Sequence, residues 1–157
     1  MSVKTLCAAL VGVFLATGVH AQSVEFRGGG VLRIESDNCI QNGYTGAGTF
    51  YYVNVRYRPA RVGSNGNNAR LSIFFDYFAM SHGVTGKLNS FFKNGQSVNI
   101  GSQAYETSFP TKVKLVKRDP SNVNANTEAV QLVVKFRNLD ETRGCTASLE
   151  SALFARP

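Results

Sequence analysis

Apolar and polar residues alternate in short blocks from residue 22 onward, and no stretch sustains the roughly 3.6-residue period of an amphipathic helix. Period-two alternation in runs rich in Val, Ile, Phe and Tyr marks half-buried strands, because successive strand side chains point to opposite faces. Residues 31–35 form a first such run. In residues 50–58, Tyr51, Val53, Val55 and Tyr57 share one face while Asn54, Arg56 and Arg58 share the other. Residues 71–78 set Leu71, Ile73, Phe75 and Tyr77 on one side and Ser72, Phe74, Asp76 and Phe78 on the other, the pattern of a strand covered on both faces. Val130, Leu132, Val134 and Phe136 make the strongest inward stripe.

Turn signals separate these runs. The Gly/Asn/Ser cluster over 63–68 predicts a hairpin loop between two long strands. Asn94-Gly95 has the chemistry of a two-residue hairpin turn, since both residues tolerate positive φ, and such a turn sets Phe91 opposite Val98. Residues 119–126 contain Pro120 and the asparagines 122, 124 and 126, and read as an exposed connection. Further runs start near Gln96 and cover 112–117 and 146–154. The total is about eight or nine strands without intervening helices, which predicts an all-β fold, a single-domain antiparallel β-sandwich or small barrel over residues 22–157. Gly28-Gly29-Gly30 reads as a flexible lead-in to the first strand. A phosphate-holding glycine loop would be followed by a helix, and here a strand follows.

The first twenty-one residues fall outside this pattern. Lys4 supplies a positive start, an uncharged apolar run follows from Leu6 to Val19, and Val19-His20-Ala21 places small residues before a cleavage point. That is the layout of a secretory signal peptide cut after Ala21. The run is short of the roughly 20 apolar residues a spanning helix requires, so no transmembrane anchor is expected after cleavage. Cleavage removes Cys7 and leaves Cys39 and Cys145. Two cysteines in an exported chain, without C-x-x-C spacing or histidine partners, predict a structural disulfide rather than a metal or redox pair. The expected compartment is periplasmic or extracellular.

Charge adds a candidate surface. The chain carries 17 Lys and Arg against 10 Asp and Glu, a net charge of +7, which falls by one when Lys4 leaves with the leader. Three predicted strands carry basic residues two apart on the face opposite the apolar stripe: Arg56 and Arg58, Lys112 and Lys114, Lys135 and Arg137. If these strands are neighbours, all six share one outer face able to hold an anionic glycan or lipid headgroup. A solvated face that protects solubility is the competing explanation. Phe50 and Tyr52 lie on the same side as Arg56 and Arg58, an arrangement resembling a single-strand nucleic-acid surface, but the export signal argues against a nucleic-acid partner.

Catalytic chemistry finds little support. Once His20 leaves, His82 is the one remaining imidazole, in a Ser81-His82-Gly83 context that reads as a polar turn after a strand, with no G-x-S-x-G turn to supply a nucleophile. Glu35 and Asp37 lack calcium-loop spacing, Asp140-Glu141 reads as a solvated pair, and no zinc set is present. No metal and no cofactor is expected. The sequence therefore predicts an exported, non-enzymatic binding module. A structural or assembly subunit of the envelope or a surface fibre is the alternative, and a carboxylate-dependent glycan hydrolase is the third reading.

Overall fold

In a computed structural model the described residues are 24–59, 69–76, 78–84, 91–93, 95–98 and 110–156. The segment read as a signal peptide, the 63–68 stretch read as a hairpin loop, Tyr77 and Asn94 lie outside them. The fold is all-β. Its strands are β1 (Glu25–Ile34), β2 (Phe50–Arg58), β3 (Ala69–Phe74), β4 (Ala79–Val84), β5 (Phe91–Lys93), β6 (Gly95–Val98), β7 (Lys112–Asp119), β8 (Ala129–Arg137) and β9 (Thr146–Arg156). Two 3₁₀ turns, Asp37–Asn42 and Leu139–Glu141, are the only helical pieces among the described residues.

The sheet is antiparallel throughout, in the order β5-β7-β8-β9-β1-β2-β3-β4-β6. Seven longer strands, β7 to β4 in that order, curl into a half-barrel. The inner face carries the alternating apolar set: Phe26, Leu32 and Ile34 of β1, Val53, Val55 and Tyr57 of β2, Leu71 and Ile73 of β3, and the predicted stripe Val130, Leu132, Val134 and Phe136 of β8, all buried. Curling brings side chains of distant strands together. His82 of β4 meets Phe136 of β8 at 5.7 Å between ring centroids, and Arg118 of β7 donates from Nη1 to the Tyr57 hydroxyl of β2 at 3.1 Å.

The register explains how an arginine reaches that interior. Val113 and Leu115 point inward, but the β7–β8 pairing slips by one residue between Leu115 and Lys117. A bulge of this kind reverses the facing of all that follows. Arg118 thereby lies opposite the inward Leu132, and it is anchored further by the Ser121 carbonyl.

Three local expectations are corrected. The glycine triplet is not a lead-in; it sits in the middle of β1, paired on both sides. Gly28 and Gly30 face inward, where a Cβ would lie 2.2 Å from the Ala152 carbonyl oxygen and 2.9 Å from Leu149 Cδ1 respectively. At Gly28 the backbone oxygen cannot yield, so glycine is what lets β9 approach there; at Gly30 a side chain would have to displace the end of Leu149 and would sit tight against the Glu150 carbonyl. Residues 71–78 are not one strand. Phe75 N donates to Phe78 O at 2.8 Å, closing a tight turn between β3 and β4 that no Gly or Asn announces. Finally, β5 and β6 do not pair as a hairpin. Phe91 lies opposite Lys114 on β7, and Val98 opposite Ala79 on β4. Each short strand satisfies the open hydrogen-bonding groups of a different sheet edge, which a hairpin would have left bare.

One end is tied by the cysteines. Their sulfurs sit at disulfide distance, 2.08 Å, joining the turn after β1 to the residue before β9. Ser36 Oγ donates to Gly144 O at 3.0 Å and accepts from Thr146 N at 2.9 Å, and Asn42 Nδ2 donates to Asp140 O at 2.6 Å. At the neighbouring corner Tyr44 packs edge-on against Tyr51, Phe75 and Phe78.

Candidate functional site

The outer face is where the basic residues gather, and the strand order decides how. Lys112 lies directly opposite Arg137, and Lys114 directly opposite Lys135, on the adjacent strands β7 and β8. These four form one cluster. Arg56 and Arg58 belong to β2, with β9 and β1 in between. The two groups are also offset along the strands, since Lys135 shares a row with Ser148, Arg33 and Phe50, six residues from Arg56. Three strand spacings of about 4.8 Å and six residues of about 3.3 Å put their nearest members roughly 25 Å apart. The single six-residue patch expected from sequence is thus two clusters at opposite sides of one face.

The second cluster is larger than the sequence suggested. Arg27 of β1 lies opposite Arg56, Arg58 lies opposite Arg70 of β3, and Arg156 of β9 lies opposite Glu25. Glu25 accepts hydrogen bonds from Arg27 Nε and Arg58 Nε, and Arg56 Nε stands 3.3 Å from its Oε1. Partial burial works to raise the Glu25 pKa, but those two hydrogen bonds and the charges of Arg56 and Arg58 prevail and hold it below the usual carboxylate range. One carboxylate among five guanidinium groups leaves a strong positive excess. Arg56 is also held by the Phe74 ring, 5.3 Å from its guanidinium carbon. A groove lined by Arg27, Asn54, Arg56, Phe74 and Arg156 opens beside it.

Sequence reasoning missed Arg27, Arg70, Arg156 and Glu25. The signal for Arg27 and Glu25 was present as alternation with Phe26, but reading the glycines as a lead-in started the strand too late to count them. Phe50 and Tyr52 project from the same outer face, opposite Arg33 and Val31 and further along β2 from Arg56, 56% and 81% exposed, with their rings in edge-to-face contact at 5.8 Å.

The residues considered for catalysis take other places. His82 is not in a turn but inside β4, fully buried, and neither ring nitrogen has a hydrogen-bond partner among the described residues. Burial lowers its pKa to about 4 and keeps it neutral. Burial, with smaller effects of Asp140 and Tyr51, likewise pushes the Tyr44 phenol well above its ordinary value. Asp37 Oδ1 accepts from Ala47 N at 2.9 Å and so holds its own loop. Among the described residues no three His, Cys, Asp or Glu side chains gather as a metal site, and no helix is long and apolar enough to cross a membrane. No family model matches this chain, and neither a curated protein nor a solved structure shows significant similarity to it.

Proposed function

We propose that this chain is an exported, non-enzymatic binding module whose outer sheet face recognises an anionic partner of the cell envelope, a glycan or a lipid headgroup. One observation carries the reading. Four cross-strand pairs set like charges directly opposite one another: Arg27 and Arg56, Arg58 and Arg70, Lys112 and Arg137, Lys114 and Lys135. Such pairs repel within a sheet. Glu25 offsets part of that repulsion for Arg27, Arg56 and Arg58, yet cations still outnumber it in that cluster. A face serving only solubility would intersperse the two signs evenly. A polyanion laid across the face turns the same repulsion into binding energy. Export is supported by the leader pattern and by the cysteine pair at disulfide distance.

The fold that presents this face is, in the same reading, a closed small barrel rather than a sandwich. Its support is that β5 and β6, separated by one residue, take up opposite edges of the curled sheet.

Retention on a heparin column and on vesicles containing an anionic phospholipid tests the proposal, with salt as the variable. Binding that weakens steeply as salt rises, and weakens further in Arg56→Gln and Lys135→Gln, is the expected result. Absence of retention at low salt on both supports removes the proposal.

A further inference from the structure

The glycine triplet poses a question that packing answers only in part. Gly28 is required by the backbone of β9, and Gly30 is crowded by Leu149 and the Glu150 carbonyl. Gly29 points outward between them, has no positive φ, and a Cβ built there meets nothing within 4 Å. Glycine in a strand interior costs about 0.5–1 kcal/mol relative to a residue with a side chain. Nothing in the fold asks for that cost at position 29.

The surroundings of Gly29 supply a reason. It pairs with Ala152 on one side and Asn54 on the other, and Ala152 pairs in turn with Gln131. The row Gln131, Ala152, Gly29, Asn54 is therefore a low floor with an amide at each end. One row along, Glu150, Val31 and Tyr52 form a wall. On the other side the next row holds Phe154 and Arg27. A depression on this face is lined by Gly29, Ala152, Tyr52, Asn54, Gln131 and Glu150, with Phe154 and Arg27 beyond its lining on the far side. The two rings are unusually open, Tyr52 at 81% and Phe154 at 64%.

Resting on the anion-binding reading above, we infer that this saddle seats one sugar ring of an acidic polysaccharide, with Gly29 kept side-chain-free to hold the seat open. The chemistry fits a sugar better than a bare phosphate chain. Amides at Asn54 and Gln131 both donate and accept, and the Glu150 carboxylate accepts, which matches hydroxyl groups that do both. The exposed ring of Tyr52, which lines the depression, offers an apolar face to the C–H face of a pyranose. Lys117 also lines the depression. The saddle lies between the β7–β8 lysine cluster and the Glu25 arginine cluster, so a polymer seated there carries its anionic substituents to both.

Calorimetric titration of the full chain with a sulfated uronate-containing hexasaccharide, and with polyphosphate as an anion without sugar rings, tests this. Gly29→Val fills the seat and is expected to fold at least as stably as the wild type while losing about tenfold or more in hexasaccharide affinity. Polyphosphate binding by the same variant should be unchanged. Tyr52→Ala, at a side chain too exposed to matter for folding, should lose hexasaccharide affinity in the same selective way. If both variants bind the hexasaccharide like wild type while Arg56→Gln and Lys135→Gln do not, the saddle is refuted and the basic-face reading stands. If wild type binds neither ligand at low salt, the basic-face reading itself fails. Binding to anionic vesicles without binding to the hexasaccharide overturns the sugar assignment alone.

Discussion

The imidazole of His82 faces the ring of Phe136 across the interior of the sheet, centroids 5.7 Å apart and planes tilted by 54°. The histidine is fully buried, without a hydrogen-bond partner for either nitrogen among the described residues. A neutral imidazole tolerates this apolar site and an imidazolium does not.

Stability should therefore fall in acid. The folded pKa, about 4, lies below the ordinary value of 6.5, so the unfolded chain binds the proton first. The contribution is complete above pH 6.5 and disappears as pH drops toward 4, amounting to roughly 3 kcal/mol. Urea denaturation at pH 7 and pH 5 reads it: the midpoint should drop for wild type and change far less for His82→Leu. Equal drops in both would assign the acid sensitivity elsewhere.

The bond from Arg118 to Tyr57 should behave as a coupled pair. Tyr57 is fully buried, so Arg118→Leu strands its hydroxyl and should cost about 1–3 kcal/mol. Tyr57→Phe should cost about 1 kcal/mol, and the double variant less than the two combined. Additive losses would mean the hydrogen bond contributes nothing.

Cys39→Ser with Cys145→Ser should lower stability by about 2–5 kcal/mol, the range for removing a bond that closes a long loop. Reductant should lower the melting temperature of wild type and leave the double variant unaffected. A wild-type protein indifferent to reductant would show that the bond is absent in solution.

Adjacent glycines should respond in opposite directions. Gly28→Ala drives a methyl group into the Ala152 carbonyl and should cost more than about 2 kcal/mol. Gly29→Ala enters open space and should leave stability unchanged or raise it by about 0.5–1 kcal/mol. Thermal denaturation of the two single variants decides, and equal losses would remove the distinction between inward and outward positions.

Strand content was legible wherever the facing of residues follows a local rule. The stripes of β2 and β8 are visible because period-two alternation records a single buried face, and the inward set on both strands is the one the pattern names. The β3–β4 turn was hidden because Phe75 and Phe78, stacked 4.4 Å apart, look like strand residues and are held there by aromatic packing rather than by turn chemistry. His82 resembled a turn residue because its flanks, Ser81 and Gly83, are small and polar or bare, while burial is conferred by Phe136, far away in sequence.

What the sequence by itself determined is the all-β character, the apolar stripes and the basic residues opposite them, all of which depend on neighbours in the chain, together with the pairing of Cys39 and Cys145, which followed from cysteine count rather than from local pattern. Only the tertiary structure decided which strands adjoin. That choice divided six basic residues into two clusters, recruited Arg27, Arg70 and Arg156 into one of them, and turned a run of glycines into two tight contacts and one open seat. The physical reason is that strand order is set by closing a curled sheet around a common core, and hydrogen-bonded neighbours such as β1 and β9 stand at opposite ends of the chain.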